Sequence, residues 1–357
     1  MKKTLLVLFL SSVALIISLI AGIGYIGSEF LRSRPDEVGH EVVYEVLPRK
    51  SFSAISRDLE SKGLIKSAML FNIYARAVGE RSRVKVGEYL LKTNMTPSEI
   101  MRIITSGKSI ARSITVTEGL SIYEIGDLFE KQGLGSAESF VKLVRDRQFV
   151  KALLGEERDS LEGYLFPETY MVTKYTDSKA IIQNMVKRFM IVFGGVSAQA
   201  QLPGWSRHEV VTLASIIEKE TGAPQERSLI SSVFHNRLQK KMRLQTDPTV
   251  IYGKAEATGK VEINITRSDL VTPTRYNTYV ISGLPPGPIS NPGRESLLAA
   301  LRPEASQYLF FVSQNDGTHV FTKDYKDHQA AVAKFQLDRK AREGKSWRDL
   351  KKSEERK

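Results

Sequence analysis

The stretch TLLVLFLSSVALIISLIAGIGYI, Thr4 to Ile26, holds 23 residues without a charge and sets the organisation of the whole chain. As a helix it reaches about 34 Å, enough to cross the hydrocarbon layer of a bilayer. A cleavable signal peptide would have a shorter apolar core and a small-x-small cleavage site, which Gly22-Ile23-Gly24-Tyr25 supplies poorly. Lys2 and Lys3 precede the stretch, whereas acidic and basic residues are mixed after it, so the positive-inside rule predicts a cytoplasmic N-terminus and a folded body on the far side. With 357 residues the chain has room for about two domains beyond such an anchor.

The composition excludes several classes of function. Cysteine is absent, which removes disulfides, thiolate metal sites, a cysteine nucleophile and a lipidated anchor. The net charge is +12, but residues 339–357 hold nine Lys or Arg against four acidic residues, and the rest carries a mild +7. Basic and aromatic residues are not interleaved and no zinc-finger or RNA-binding signature occurs, so no nucleic-acid partner is expected. His40-Glu41 and His208-Glu209 open like a zinc-peptidase motif, yet Tyr44 and Thr212 stand where its second histidine belongs. Neither a metal nor a cofactor is expected.

Beyond a polar linker, residues 27–41, alternation at Val42–Val46 predicts a strand, and FSAISRDLESKGLI has helical spacing stopped by Gly63. Val84 to Leu91 reads as a strand and Thr96-Pro97-Ser98-Glu99 as a helix start. Ile114 to Val116 and a helix from Ser121 repeat the pattern, giving a small α/β region over 42–160. Long helices follow near Ala180–Phe193, Arg207–Thr221 and Glu226–Gln239. GLPPGPISNPG, ending at Gly293, can be neither helix nor central strand and predicts a rigid surface loop. YLFFVS and HVFT around Asn315-Asp316-Gly317 predict a hairpin, with His319 read as an ordinary strand histidine. The fold class is α+β: one transmembrane helix, a small α/β domain, then a mixed α/β domain.

In RHEVVTLASIIEKETG the apolar residues Val210, Val211, Leu213, Ala214, Ile216 and Ile217 define one broad face. At about 100° per residue, Glu218 and Glu220 fall on opposite flanks of that face. A carboxyl at an apolar boundary tends to keep its proton longer, as a general acid requires. Geometry does not choose between the two, and both could instead pair with Lys219, Arg227 or Arg237.

EGYLFPETY, IIEKETG, HNRL, LQTDPTVIYG, RYNTY, GLPPGPISNPG and HVFTKDYKDH occur in that order. With these composite motifs the sequence resembles the YceG-like endolytic murein transglycosylases over nearly its whole length. The resemblance implies a span at 4–26 in the bacterial cytoplasmic (inner) membrane, a LysM-like region over 42–160, and a catalytic domain outside it over 161–338. The basic tail at 339–357 stands outside the family pattern. It also implies a lyase that cuts the β-1,4 bond between MurNAc and GlcNAc within nascent peptidoglycan strands, leaves 1,6-anhydro ends and terminates elongation. Glu218, the first glutamate of the triplet, is implied as its catalyst. Candidate sugar contacts are Glu220, Gln245, Thr246, Asp247, Asn277, Asn291 and the aromatics Tyr164, Phe166, Tyr252 and Tyr276. The partners implied are glycan strands, with a peptidoglycan synthase considered beside them. The rival readings are a non-catalytic wall-binding scaffold and a muramidase-type hydrolase with Glu220 or Asp247 as base.

Overall fold

The computed structural model describes residues 2–200 and 202–338; the basic tail expected at 339–357 lies outside the described residues. The chain forms two compact units. One comprises the chain up to Ser113 with Met171–Thr176, the other Ile114–Tyr170 with the chain from Asp177 onward.

In the first unit, α1 (Lys2–Arg32) contains the apolar stretch but continues six residues beyond Ile26, into the expected linker. The physical reason is Phe30, which is 5% exposed and packs among Tyr44, Phe71, Leu91 and Ile104. Burying such a ring contributes about 1.5–3 kcal/mol, enough to hold the last helical turn against the domain. The following residues are pinned as well: Asp36 N–H donates to Thr93 O, and Thr93 Oγ1 donates to the Asp36 carboxylate at 3.0 Å. The expected polar tether is therefore part of the folded unit.

Strand β1 (Glu41–Val46) pairs antiparallel with β2 (Gly87–Lys92), from Glu41 opposite Lys92 to Val46 opposite Gly87. Helices α2 (Phe52–Ser61) and α3 (Ala68–Ala77) lie between them in sequence. Tyr44 and Val46 face Tyr89 and Leu91 in the interior, while Val43 and Leu90 point out, as a two-residue period requires. Helix α4 (Pro97–Ser106) starts with a Thr96/Glu99 capping box and stops at Gly107, whose φ of 74° suits glycine. Strand β3 (Arg112–Thr115) then forms a two-stranded ribbon with β4 (Thr169–Val172), where the chain leaves the first unit and returns to it.

The second unit is mostly helical. Its elements are α5 (Ile122–Lys131), α6 (Ala137–Val144), α7 (Arg147–Leu154), α8 (Ser178–Gln199), α9 (Arg207–Glu220) and α10 (Arg227–Gln239). There follow α11 (Asp247–Thr258), α12 (Arg267–Val271), α13 (Arg294–Leu301), the hairpin β5 (Phe310–Ser313) with β6 (His319–Thr322), and α14 (Tyr325–Val332). The hairpin has the expected antiparallel register, Phe310 opposite Thr322 and Ser313 opposite His319. Residues 114–160, grouped in the sequence reading with the N-terminal region, have their packing here.

The proline-rich segment differs from expectation in one respect. It is irregular, but from Gly287 onward it is not on the surface: Ile289 is 3% exposed and Ser290 and Asn291 are fully buried. Prolines remove donors from such a segment, and the remaining polar groups find partners inside. Ile289 N–H donates to Ser215 Oγ at 3.0 Å, Ser290 Oγ donates to Ser215 O, and Asn291 N–H donates to Leu120 O at 2.8 Å. The buried serine on α9 is thus the dock for this loop.

Candidate active site

Helix α9 is capped by Ser206 and Glu209 and is buried on every side from Val210 to Ile217. Only its two ends reach solvent, so the helix serves as a rigid post that presents Glu218, Lys219 and Glu220 at its C-terminal end. The two glutamates go to different surroundings, as their placement on opposite flanks predicts.

The Glu218 side chain is 9% exposed. Its Oε2 accepts the Gly293 N–H at 3.0 Å, at the start of α13, and its Oε1 lies 3.8 Å from Arg227 Nη2 at the start of α10. Arg227 is itself 14% exposed and its Nε has no partner among the described residues. Lys219 bends away and donates to Gly119 O at 3.1 Å. Gly119 N–H donates to Asn291 O at 2.9 Å, which ties this loop to the proline-rich segment.

A second carboxyl reaches the same place. Glu118 lies over Gly293 so closely that a β-carbon there would stand 1.8 Å from Glu118 Oε1. One glycine therefore gives its N–H to Glu218 and its missing side chain's space to Glu118. Burial holds the Glu118 carboxyl above the ordinary carboxylate range, and the Glu218 charge adds to this against the pull of Arg227. Sequence reading missed Glu118. It lies 100 residues from Glu218 in TVTEGL, a stretch with no sign of chemistry in its own pattern.

Glu220 accepts a short hydrogen bond from Thr246 Oγ1. Burial, reinforced by Asp247, raises its carboxyl above the usual range in spite of that bond. It lines a cleft of about 500 Å³ together with Gln245, Thr246, Asp247, Tyr279 and His319. Gln245 is exposed and holds φ at 48°, a left-handed conformation uncommon for a non-glycine residue. Asp247 accepts from Tyr279 OH at 2.7 Å and opens α11. His319, on β6, has its Nδ1 2.8 Å from Glu226 Oε2.

Several expected sugar contacts are instead interior. Tyr164 is fully buried, edge-on to Phe189, with its OH 2.9 Å from His208 Nδ1. Phe166, Tyr252 and Tyr276 are at most 8% exposed, so none of these four rings has a free face for a sugar. Asn277 spends its amide on the carbonyls of Asp269, Leu270 and Thr272. Asn291 accepts from Leu165 N–H and donates to Leu120 O and to the buried Glu162, each at 2.9 Å. Their segments needed buried aromatic and amide groups for packing, and sequence cannot distinguish that need from ligand binding.

The sequence profile of the YceG-like family matches residues 44–334. The chain is 36% identical to the endolytic murein transglycosylase of Bacillus subtilis (strain 168) over 300 residues, 80% of this chain and 82% of that protein. It is 26% identical to the endolytic murein transglycosylase of Streptococcus pneumoniae serotype 2 (strain D39) over 363 residues, 91% of this chain and 64% of that protein. A crystal structure of a yceG-like protein from Listeria monocytogenes superposes with a TM-score of 0.56 at 33% identity, covering 81% of this chain and 98% of that one. With a family profile spanning its two units and a relative this similar along most of both lengths, the chain belongs to the YceG-like family.

Proposed function

We propose that this chain is an anchored endolytic murein transglycosylase with Glu218 as its catalytic acid and base. The observation that carries the role of Glu218 is its setting: a nearly buried carboxyl at the end of a rigid helix, held by one backbone N–H and facing one guanidinium. Glu218 gives its proton to the oxygen between MurNAc C1 and GlcNAc C4, and the C1–O bond breaks through an oxocarbenium-like state. The carboxylate then takes the proton of the muramyl 6-hydroxyl while O6 bonds to C1, so no water is consumed and an anhydro end results. One carboxyl suffices because it is returned to its acid form at the end. Gly293 N–H and Arg227 stabilise it in the interval between the two transfers.

Glu118 is the second carboxyl of this site, held above the ordinary carboxylate range by burial and by the neighbouring Glu218 charge. The cleft at Glu220, Gln245 and Asp247 receives a neighbouring sugar, with Gln245 and Asp247 as its exposed polar groups. The β1-α2-α3-β2 order of the first unit, with its strands antiparallel, supports the LysM-like reading and a hold on glycan. Helix α1 is the single-pass anchor in the cytoplasmic membrane, N-terminus inside, and it tethers the chain to the membrane where strands emerge beside their synthase. Two carboxyls at one glycine would also suit a hydrolase that activates water. Glycan strands digested by the wild type and by Glu218→Gln test the reading: the variant is expected to melt normally and to release no anhydro ends, and a variant that cuts at the wild-type rate refutes it.

A further inference from the structure

Helix α3 carries an apolar face that the fold leaves open. Met69 is 69% and Ile73 58% exposed, one turn apart on the same side. Beside them runs a groove of about 460 Å³ formed with the end of α1, lined by Ile23, Ile26 and Phe30 from α1 and by Leu70, Ile73 and Tyr74 from α3. Met69 and Ile73 also border a second groove on their other side, and there the lining includes Arg57, Arg76 and Arg81. None of these three arginines has an ion-pair partner among the described residues, although Arg81 stands over the Phe52 ring at 5.7 Å. The one acidic residue of that groove, Glu60, accepts the Ala68 N–H at 3.0 Å.

The occupant follows from position. If the apolar stretch spans the bilayer to Ile26, then Phe30 and Leu31 stand about 6–7.5 Å further out at 1.5 Å per residue, within the headgroup layer. Helix α3 packs at that level. An apolar face continuous with the anchor and bordered by unpaired arginines has the composition of a surface that rests on anionic lipid.

We propose that α3 is a membrane-docking helix: Met69 and Ile73 enter the outer edge of the acyl-chain layer while Arg57, Arg76 and Arg81 bind anionic phospholipid headgroups. This rests on the reading of α1 as the anchor. Docking at a second point, off the axis of α1, restricts how the first unit can tilt and rotate on its single helix.

The absence of cysteine allows a direct test with the full chain in vesicles. Leu15→Cys, Met69→Cys, Ile73→Cys and Leu90→Cys are labelled separately with bimane. Each is reconstituted in phosphatidylcholine, alone or mixed with phosphatidylglycerol, and exposed to iodide or to lipids brominated near the top of the acyl chain. Labels at 69 and 73 are expected to lose most of their emission to brominated lipid, more so with phosphatidylglycerol, while the label at 90 responds to iodide. Combining Arg57→Gln, Arg76→Gln and Arg81→Gln abolishes the phosphatidylglycerol effect. Iodide quenching at 69 and 73 with a lipid-shielded label at 15 overturns the docking and leaves the anchor standing. Iodide quenching at 15 as well overturns both.

Discussion

Gly293→Ala is the sharpest perturbation of the two-carboxyl site, because it displaces Glu118 without touching the Glu118 or Glu218 side chains themselves. The new β-carbon would stand 1.8 Å from Glu118 Oε1 and 2.1 Å from its Cδ, so the flexible Glu118 side chain must move out. The backbone need not move, since φ at Gly293 is −76°, open to any residue, and the N–H to Glu218 stays. The distance from that β-carbon to Gly293 N is about 2.5 Å from bond lengths, so the two carboxyl oxygens lie within about 7 Å in the wild type. Two unit charges at that separation interact by about 0.6 kcal/mol in water and about 2.4 kcal/mol at an effective dielectric of 20. Much of the Glu118 side chain is exposed even though its carboxyl is partly desolvated, which places the effect toward the lower half of that range. Moved out toward solvent, Glu118 loses the burial and the like charge that hold its carboxyl up, so its proton is easier to lose. The alkaline limb of the kcat/KM profile on purified glycan strands therefore moves to lower pH in Gly293→Ala, and Glu118→Gln moves it in the same direction. If both variants keep the wild-type limb, even with lower rates, the Glu118 proton plays no part in the reaction.

Burial pushes the Glu162 carboxyl up to about 8 despite the N–H that Ile122 donates to it. An acid with a folded pKa above its unfolded one contributes stability that is complete below the unfolded value and is lost as pH rises to about 8. Melting temperature should fall between pH 5 and pH 8 and flatten above, and Glu162→Gln should remove most of the slope. Gln245→Gly relieves a left-handed φ and should leave stability unchanged or raise it by up to about 1 kcal/mol, while strand cleavage falls; a marked loss of stability in chemical denaturation would assign Gln245 to the fold instead. Phe30→Ala should cost about 3–5 kcal/mol in the first unit, read as lost amide protection at Tyr44 and Leu91 with α9 unchanged. Equal protection in both forms would restore a loose tether.

What was legible in the sequence was local. The apolar run at Thr4–Ile26, the helix start at Thr96-Pro97-Ser98-Glu99 and the Asn315-Asp316-Gly317 turn each act over a few residues, and each predicts its element. The flanks of α9 were legible for the same reason, because helical geometry fixes where Glu218 and Glu220 point. What remained hidden depends on distant partners. Glu118 matters only because the fold brings Gly293 and Glu218 to it, and Asn291 is structural only because Leu120, Glu162 and Leu165 surround it. Phe30 looked like part of a linker because its pocket is built from residues 44 to 104. Tyr164 and Asn277 have the chemistry of sugar contacts, and burial alone tells otherwise.

The most direct test of the account is the mass of the new glycan ends released by the purified chain from uncrosslinked peptidoglycan strands, compared with Glu218→Gln. An anhydro end is one water lighter than a hydrolysed one, so a single spectrum separates the chemistries. Anhydro-MurNAc ends are expected from the wild type and none from the variant. Reducing ends from the wild type, or anhydro ends from Glu218→Gln at the same rate, would contradict it.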